Sequence, residues 1–488
     1  MNRFKEWLGE GLILVPTVLL LGFLLFTLTF RLGGLSNVAE LLPEGAEAFF
    51  VVNMEDFAAS GSPVDSAYFK EFLGTPLAEL TWFKRDLAVA WIDGNTVEFL
   101  EMGSRDEAET FFTTLVEGGE IKVNDLNENI RCYEIEAFCF RFIGGMAAFS
   151  SSPEALATLG GHTPRLEDNP HYQNVRGRLG HLQSGLAFVN LGETQQELSA
   201  WAAQLGLPQT FTESILQIFP AWGASIRMES TGWYAESFTA VNKELIRGAY
   251  FHPAEKYEQQ FLPWTKSFAW EFGTQDLAAQ LTRMQEIFTE LGSTGEMIFT
   301  SSLQSAATDL FGPTTLPELL PLLDGESYFG WTSADDFLFI LELETVEDGQ
   351  SAETLKNRFI QTFTYKEIYT AERGEQKAEL LQLTEVTSNG TTLLMAGDQT
   401  VAALVFTEDA VIVAPDEAAL LAALDRQRNL EEMSVLLPGS TEIWILDGAF
   451  LPETNILKTH LSTLTRLMST RKIFDDGVFT RTSLLPSL

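Results

Sequence analysis

Cys132 and Cys139 are the two residues whose chemistry can be judged most directly from their spacing. They lie in the segment NIRCYEIEAFCFRF, where two alternating strands joined by a tight turn near Ile135 and Glu136 would place them opposite each other. A disulfide between them is then geometrically feasible outside the cytoplasm. Two inert thiols and a redox-active pair are the alternatives that the sequence leaves open.

Four side chains, Asp125, Asn127, Asn129 and Glu136, follow the spacing of a calcium-binding loop. Such a loop makes its sharp turn through a glycine at its sixth position, and this chain has Ile130 there. The sequence therefore favours an ordinary acidic loop. We expect neither a metal site nor a cofactor.

Ser469 and Lys472 have the S-x-x-K spacing, in which a lysine amine can activate a serine nucleophile. No companion motif accompanies them, and the chain lacks the G-x-S-x-G, H-E-x-x-H, C-x-x-C, P-loop and dinucleotide-binding patterns. The remaining acidic pairs and clustered histidines fall in predicted turns and a connecting loop. They are Asp335, Asp336, Glu408, Asp409, His162, His171 and His181. We expect no catalytic residue among them.

The composition narrows the class of partner. Lys and Arg number 31 against 68 for Asp and Glu, which gives a net charge of −37. A charge of this sign repels phosphate backbones, so nucleic acid is excluded as an expected partner. A chain that is 45% hydrophobic and 20% charged is globular in composition, so a wholly disordered or fibrous chain is excluded too.

Residues 11–30, GLILVPTVLLLGFLLFTLTF, predict a single transmembrane helix. The run has no charged side chain, and twenty helical residues span the roughly 30 Å hydrocarbon core. Arg3 and Lys5 precede it, which favours residues 1–10 in the cytoplasm. We therefore expect an uncleaved anchor in the cell membrane, a linker over 31–39, and the bulk of the chain outside the cytoplasm.

An internal repeat is visible along the rest of the chain. LPEGAEAFFVVNMEDF from Leu42 matches LPWTKSFAWEFGTQDL from Leu262, and the strand containing Trp91 matches the strand containing Trp331. Further landmarks recur in the same order, including SSPEALATL and APDEAALLAAL with Pro153 against Pro415. We interpret these matches as a duplication, with one repeat over 40–255 and the other over 256–488.

The pattern within each repeat predicts an α+β fold. Short alternating runs joined by turn residues indicate antiparallel strands. A capped helix follows the second strand in each repeat, with Ser104 three residues before Glu107 in the first. The predicted architecture is one transmembrane helix followed by two homologous units of mainly antiparallel sheet with packed helices.

The chain resembles an uncharacterised bacterial family of membrane-anchored, duplicated extracytoplasmic domains, over about residues 40 to 430. The features that carry the resemblance are an N-terminal anchor, a Leu-Pro before an apolar strand, a capped helix and the SSPEAL or APDEAAL segment. The resemblance implies a location in the bacterial cell envelope. It brings no catalytic or ligand-binding residue with it.

These features favour a non-enzymatic, membrane-anchored protein that binds or scaffolds an unknown envelope protein. The 37 phenylalanines motivate an alternative, a carrier that shelters a lipid or another apolar ligand. A membrane-tethered hydrolase with no recognisable motif is a further alternative, because distant residues can assemble a catalytic site.

Overall fold

The computed structural model describes the strands, the short helices and several connections of the chain. The described residues are 35, 37–59, 80–115, 121–124, 127–133, 138–161, 164–180, 183–194, 213, 216–229, 232–242, 268–272, 327–333, 336–342, 370–372, 375–377, 384–388, 390–396, 398–406, 410–425, 442–447, 464–474 and 476–486. Contacts between Cα atoms divide the chain into two compact units, Met1–Glu193 with Gly223–Ser230 and Thr194–Trp222 with Thr231–Leu488.

The first unit is built on an antiparallel sheet. Its strands are β1 (Ala48–Asn53), β2 (Phe83–Ile92), β3 (Asn95–Met102), β4 (Ile121–Asn124), β5 (Asn127–Tyr133), β6 (Phe138–Ile143), β7 (Met146–Ser150), β8 (Gly185–Asn190) and β9 (Ala221–Glu229). Paired neighbours run in the order β4, β5, β6, β7, β3, β2, β1, β8. The N–H of Ser184, just before β8, donates to the carbonyl of Ile226 in β9 (2.7 Å).

Local sequence explains the tightest of these connections. Asp93 and Gly94 link β2 to β3 with positive φ values of 50° and 71°. An Asp-Gly pair tolerates this left-handed backbone, which matches the twist of an antiparallel hairpin. The hairpin places Trp91 opposite Thr96, so β2 and β3 are held in register from their turn.

Short helices cover both faces of this sheet. The helices are α1 (Met54–Ala59), α2 (Arg105–Leu115), α3 (Pro153–Thr158) and α4 (Pro170–Arg178). Phe49 and Phe50 are successive strand residues and point to opposite faces. The Phe49 ring lies 6.0 Å from Tyr172 of α4, whereas Phe50 packs against the buried cluster that contains Phe112 of α2.

The second unit contains a longer run of antiparallel strands. They are β10 (Gly232–Ala240), β11 (Phe268–Phe272), β12 (Ser327–Ser333), β13 (Asp336–Glu342), β14 (Thr370–Glu372), β15 (Glu375–Lys377), β16 (Thr384–Ser388), β17 (Thr391–Ala396), β18 (Gln399–Phe406), β19 (Ala410–Ala414), β20 (Glu442–Asp447), β21 (Leu464–Phe474) and β22 (Gly477–Pro486). Neighbours run in the order β16, β17, β18, β19, β13, β12, β11, β20, β21, β22, β10. Strands β14 and β15 pair only with each other in the described part of the chain. Helix α5 (Glu417–Asp425) packs on β18 and β19 through the buried Leu420.

The two units pair their strands in the same order. In the first unit β7, β3, β2, β1 and β8 are successive neighbours, and in the second β19, β13, β12, β11 and β20 are. Ala48 lies opposite Trp91, and Phe268 lies opposite Trp331. The duplication itself stays a prediction, and the predicted boundary between residues 255 and 256 lies outside the described residues.

The strand-to-helix junctions of the two units also share a capping arrangement. The Ser152 hydroxyl accepts from the N–H of Ala155 (3.2 Å), and the Asp416 carboxylate accepts from the N–H of Ala419 (2.7 Å). Pro153 is the first residue of α3, whereas Pro415 precedes the capping Asp416. The two caps align Ser152 with Asp416, an offset that is two residues longer than the predicted match of Pro153 with Pro415.

The α+β fold class predicted from the sequence is wrong. The described residues form mainly antiparallel strands, and their α-helices, six to eleven residues long, only pack against the sheets. The sequence signals for helix starts do correspond to helices. These helices are short and pack on the sheets, and they do not form a helical layer of similar size to the sheets. The predicted transmembrane segment 11–30 lies outside the described residues, and no described helix is long and apolar enough to cross a membrane.

Candidate functional site

Cys132 and Cys139 are joined by a disulfide in the structure. The two residues are directly opposite each other on β5 and β6, with their Cα atoms 4.0 Å apart. The bond therefore links adjacent strands near the outer edge of the first unit's sheet. The corresponding hairpin of the second unit, β17 with β18, places Leu393 opposite Ala403 and has no cysteine.

The other residues that the sequence singled out are not brought together. Asn127 and Asn129 belong to strand β5, while Asp125 and Glu136 lie outside the described residues. A strand cannot curl its alternate side chains around one cation, so the calcium-loop spacing has no matching backbone here. No group of three potential metal ligands occurs among the described residues.

Ser469 and Lys472 lie on strand β21. Residues three apart on a strand project from opposite faces, so the lysine amine cannot reach the serine hydroxyl as it would on a helix. The Ser469 hydroxyl instead lies 3.1 Å from that of Thr482 on β22. Of the acidic pairs and histidines, Asp336 begins β13 and His171 lies in the first turn of α4, and the others fall outside the described residues.

An open cleft of about 420 Å³ lies beside helix α2 in the first unit. We call it the Trp82 cleft, and its lining residues are Leu80, Thr81, Trp82, Asp106, Glu107, Thr110 and Phe111. The volume is within the range of clefts that hold small ligands. Sequence patterns gave no sign of it, because its two halves are more than twenty residues apart in the chain.

The two halves of the cleft meet because β2 begins where β3 ends. The N–H of Gly103, after β3, donates to the carbonyl of Trp82, before β2 (2.7 Å). Helix α2 then starts at Arg105, and the Ser104 hydroxyl caps it by accepting from the N–H of Glu107 (3.3 Å). This short connection sets the first turn of the helix against the segment 80–82.

The floor of the cleft is apolar and aromatic. Leu80 and Trp82 are buried and Phe111 is half-buried. The Trp82 ring lies 5.7 Å from the ring of Phe111 and 5.4 Å from that of Phe112, both in tilted arrangements. Phe112 is itself fully buried against Phe140 and Phe149, so the floor is backed by a packed aromatic core.

Trp82 carries an unsatisfied hydrogen-bond donor. Its side chain is 1% exposed, and its Nε1–H finds no acceptor among the described residues. A buried donor without a partner costs about 1–3 kcal/mol, so most buried indoles are paired. The N–H belongs to a residue that lines the cleft, but the nitrogen itself is shielded from solvent, so the donor is a cost of the folded chain rather than a contact open to a ligand.

The rim of the cleft is polar and acidic. Asp106 and Glu107, in the first turn of α2, and the two threonines Thr81 and Thr110 are all exposed. Thr110 donates its hydroxyl to the carbonyl of Asp106 (2.8 Å). Of the described residues that line the cleft, none is basic, so its mouth carries two negative charges.

A cluster of ion pairs lies next to the cleft at the start of β2, with Asp86 buried and Lys84 exposed. Arg85 Nε donates to Asp86 (3.0 Å) and lies 3.5 Å from Glu101, and Lys84 pairs with Glu101 (2.7 Å). Burial alone would lower the pKa of Arg85, but its attraction and hydrogen bond to Asp86, with further attraction from Glu101 and Glu55, raise that pKa above its usual value. Both basic side chains are thus committed to carboxylates and do not neutralise the rim.

Sequence reasoning missed this ion cluster. Its only signal is the run Lys84–Asp86, three charges that enter a strand whose next residues are apolar. Asp86 is fully buried, and its own N–H donates to Glu101 (3.2 Å), so the cluster fixes the start of β2 against β3.

Comparisons with known proteins find only weak structural similarity. No family model matches the chain, and no curated protein matches it. The chain is similar to three solved structures, crystal forms III, I and IV of TP0453, at 13%, 12% and 11% identity and TM-scores of 0.28, 0.26 and 0.26. These matches cover 44%, 44% and 42% of this chain and 88%, 86% and 83% of the other. Likeness of this degree defines neither a fold nor an activity.

Proposed function

We propose that this chain is a binding protein that works outside the cytoplasm and holds a small, largely apolar ligand in the Trp82 cleft. One observation carries the proposal: an open cleft of about 420 Å³ has an apolar floor to which Leu80, Trp82 and Phe111 contribute. Burial of a ligand's apolar surface against Leu80, Trp82 and Phe111 provides affinity.

The disulfide supports a location outside the cytoplasm. Cytosolic thiols are kept reduced, whereas secreted and periplasmic proteins form and retain disulfides. Cys132 and Cys139 are bonded across adjacent strands. Placement at the cell membrane rests on the apolar run 11–30 and stays a prediction, as does membership of a bacterial envelope family.

The shape of the cleft favours a small ligand over a protein partner. A scaffold surface for a protein is usually broad and buries about 800 Å² on each partner. The Trp82 cleft is instead concave and is bounded by one helix and the three residues 80–82 that precede β2. The carrier hypothesis is therefore the more specific form of the binding function.

The test is to fill the cleft and ask whether labelling by an apolar probe is lost. The full chain in phosphatidylcholine nanodiscs is irradiated with a twelve-carbon alcohol that bears a diazirine, and labelled peptides are mapped by mass spectrometry. Thr110→Trp places a large side chain in the cleft mouth. Thr114→Trp is the matched control, because Thr114 is exposed on the same helix and does not line this cleft.

We expect label on peptides that contain residues 80–82 and 106–111 in the unmodified chain and in Thr114→Trp. Thr110→Trp should lose most of the label on these cleft peptides and keep the label on peptides outside the cleft. An unmodified chain with no label at the cleft, or equal cleft labelling in both variants, would overturn the proposed function.

A further inference from the structure

We infer that the disulfide between Cys132 and Cys139 is a site of thiol–disulfide exchange, where a protein dithiol reduces the bond and thereby loosens helix α3. The inference does not depend on a ligand in the Trp82 cleft. Three features support it: the unequal exposure of the two cysteines, the short loop that the bond closes, and the packing of α3 on the bridged strands.

The two cysteines differ in exposure. Cys132 is partly exposed, whereas Cys139 is 5% exposed. Access decides which sulfur a thiolate attacks, so the partner bonds to Cys132 Sγ, and Cys139 leaves with the electron pair of the broken bond and takes up a proton. The partner's second thiolate then attacks the partner's own sulfur in the mixed disulfide and releases Cys132, which is also protonated. Two electrons thus pass from the dithiol to this chain, and the partner leaves as a disulfide.

The loop that the bond closes is short, which makes the bond easier to reduce. A disulfide resists reduction in a folded chain by the amount that it stabilises the fold, and this amount rises with loop length. The sequence separation here is 7. A loop this short shifts the equilibrium roughly thirtyfold, whereas a loop of about 100 residues shifts it more than about a thousandfold.

Reduction leaves the bridged strands with their other partners. Strand β5 also pairs with β4, and β6 also pairs with β7. The β17–β18 hairpin, at the corresponding place in the second unit, forms with Leu393 opposite Ala403 and without a disulfide. The chain has two cysteines in all, so its free thiols have no other intramolecular partner and reoxidation restores the same bond. The exchange is therefore reversible.

Helix α3 depends on the bridged strands for its position. It packs on β5, β6 and β7, and its six residues are too few to form a stable helix without such packing. Arg141 follows Cys139 by two residues on β6 and so lies on the same face of the sheet. Its Nη1 donates to the carbonyls of Leu156 and Leu159 at the C-terminal end of α3 (2.8 Å each). The disulfide thus lies on the α3 side of the sheet and joins two of the three strands that support the helix.

The experiment uses the full chain in phosphatidylcholine nanodiscs and thioredoxin as the protein dithiol. A thioredoxin whose second active-site cysteine is replaced by serine cannot complete the exchange. It therefore stays attached, and mass spectrometry after alkylation of free thiols identifies the cysteine that carries it. Amide hydrogen exchange then compares the oxidised chain with the chain reduced by unmodified thioredoxin. The double variant Cys132→Ala with Cys139→Ala is the control for effects of thioredoxin that do not involve this bond.

We expect the mixed disulfide at Cys132 in at least about tenfold excess over Cys139. Reduction should speed amide exchange roughly thirtyfold in β5 and at least about fivefold in α3. Exchange in β1 and β8 should change less than about twofold, because β7, β3 and β2 separate these strands from the bond. Thioredoxin should leave exchange in the double variant unchanged.

Four results would overturn the inference: no mixed disulfide, a mixed disulfide mainly at Cys139, exchange in α3 that reduction does not change, or exchange that rises equally in β1 and β8. The last result would make the bond a staple of the whole sheet. None of these results alters labelling at the Trp82 cleft, so the inference and the proposed function fail separately.

Discussion

Trp82→Phe is the substitution that most directly tests the unsatisfied indole donor. Phenylalanine keeps an aromatic ring beside Phe111 and Phe112 but has no N–H group. The smaller ring buries roughly 40 Å² less apolar surface, which costs about 1 kcal/mol, and incomplete repacking adds about as much. Removal of the unpaired donor recovers about 1–3 kcal/mol. We therefore expect the unliganded variant to be within about 1 kcal/mol of the unmodified chain.

Phe112→Leu is the matched control for this prediction. Phe112 is fully buried in the same cluster, its ring lies 5.1 Å from those of Phe140 and Phe149, and it has no polar atom whose removal could compensate. The loss of ring packing should cost about 1–3 kcal/mol. The contrast between the two variants, rather than either value alone, reports on the N–H group.

Hydrogen exchange of the full chain is the suitable assay. Two compact units make a single global unfolding transition poorly defined, whereas amide exchange reports the opening free energy of β2, β3 and α2 separately. If Trp82→Phe lost as much protection as Phe112→Leu or more, the indole N–H would be contributing a favourable interaction, and the reasoning about the cleft floor would be refuted.

Three further predictions concern the features around the cleft and the second unit. The purified full chain should take up no alkylating reagent before reduction and two equivalents after it. Replacement of Cys132 and Cys139 by serine should weaken β5–β6 by about 2 kcal/mol, since the bond closes a short loop with a sequence separation of 7; free thiols before reduction would contradict this. Asp86→Asn should lower the opening free energy of β2, measured by amide hydrogen exchange, by about 2–3 kcal/mol. The reason is that the substitution removes the charge of a carboxylate that is 0% exposed from its arginine partner, which is 19% exposed. An effect below about 1 kcal/mol would count against the ion cluster. Gly477→Ala should speed proteolysis of β22, because the new Cβ would overlap the Thr239 carbonyl and the Phe238 ring. Gly103→Ala is the control and should be tolerated, because no atom lies closer than 3.6 Å to a Cβ at that position. Equal proteolysis of the two variants would contradict the β10–β22 pairing.

The strands were the most predictable part of the fold. Alternation around Trp91 and Trp331 follows directly from side chains that point to alternate faces, and the Asp93–Gly94 turn is a strong local signal. The balance of helix and strand was less predictable. An apolar stripe such as that of Phe111 and Phe112 predicts that a helix is present. It does not predict how small a fraction of the unit is helical.

The cleft could not have been predicted from the sequence. Whether an indole N–H is paired depends on every group around Trp82, and the residues that complete the cleft, Asp106 and Glu107, follow only after two strands and two turns. The capping arrangement of Ser104 with Glu107 was visible, but it indicated only where a helix starts. Conversely, the S-x-x-K spacing of Ser469 and Lys472 lost its meaning once the segment proved to be a strand.

The most direct test of the central claim is the native mass of the full chain, isolated from the cells that produce it, before and after organic extraction. If the Trp82 cleft holds a ligand, the unmodified chain and Thr114→Trp should carry a discrete additional mass that extraction removes, and Thr110→Trp should lack it. A bare chain mass in the unmodified protein and in both variants would contradict the claim, and so would an additional mass that Thr110→Trp retains in full.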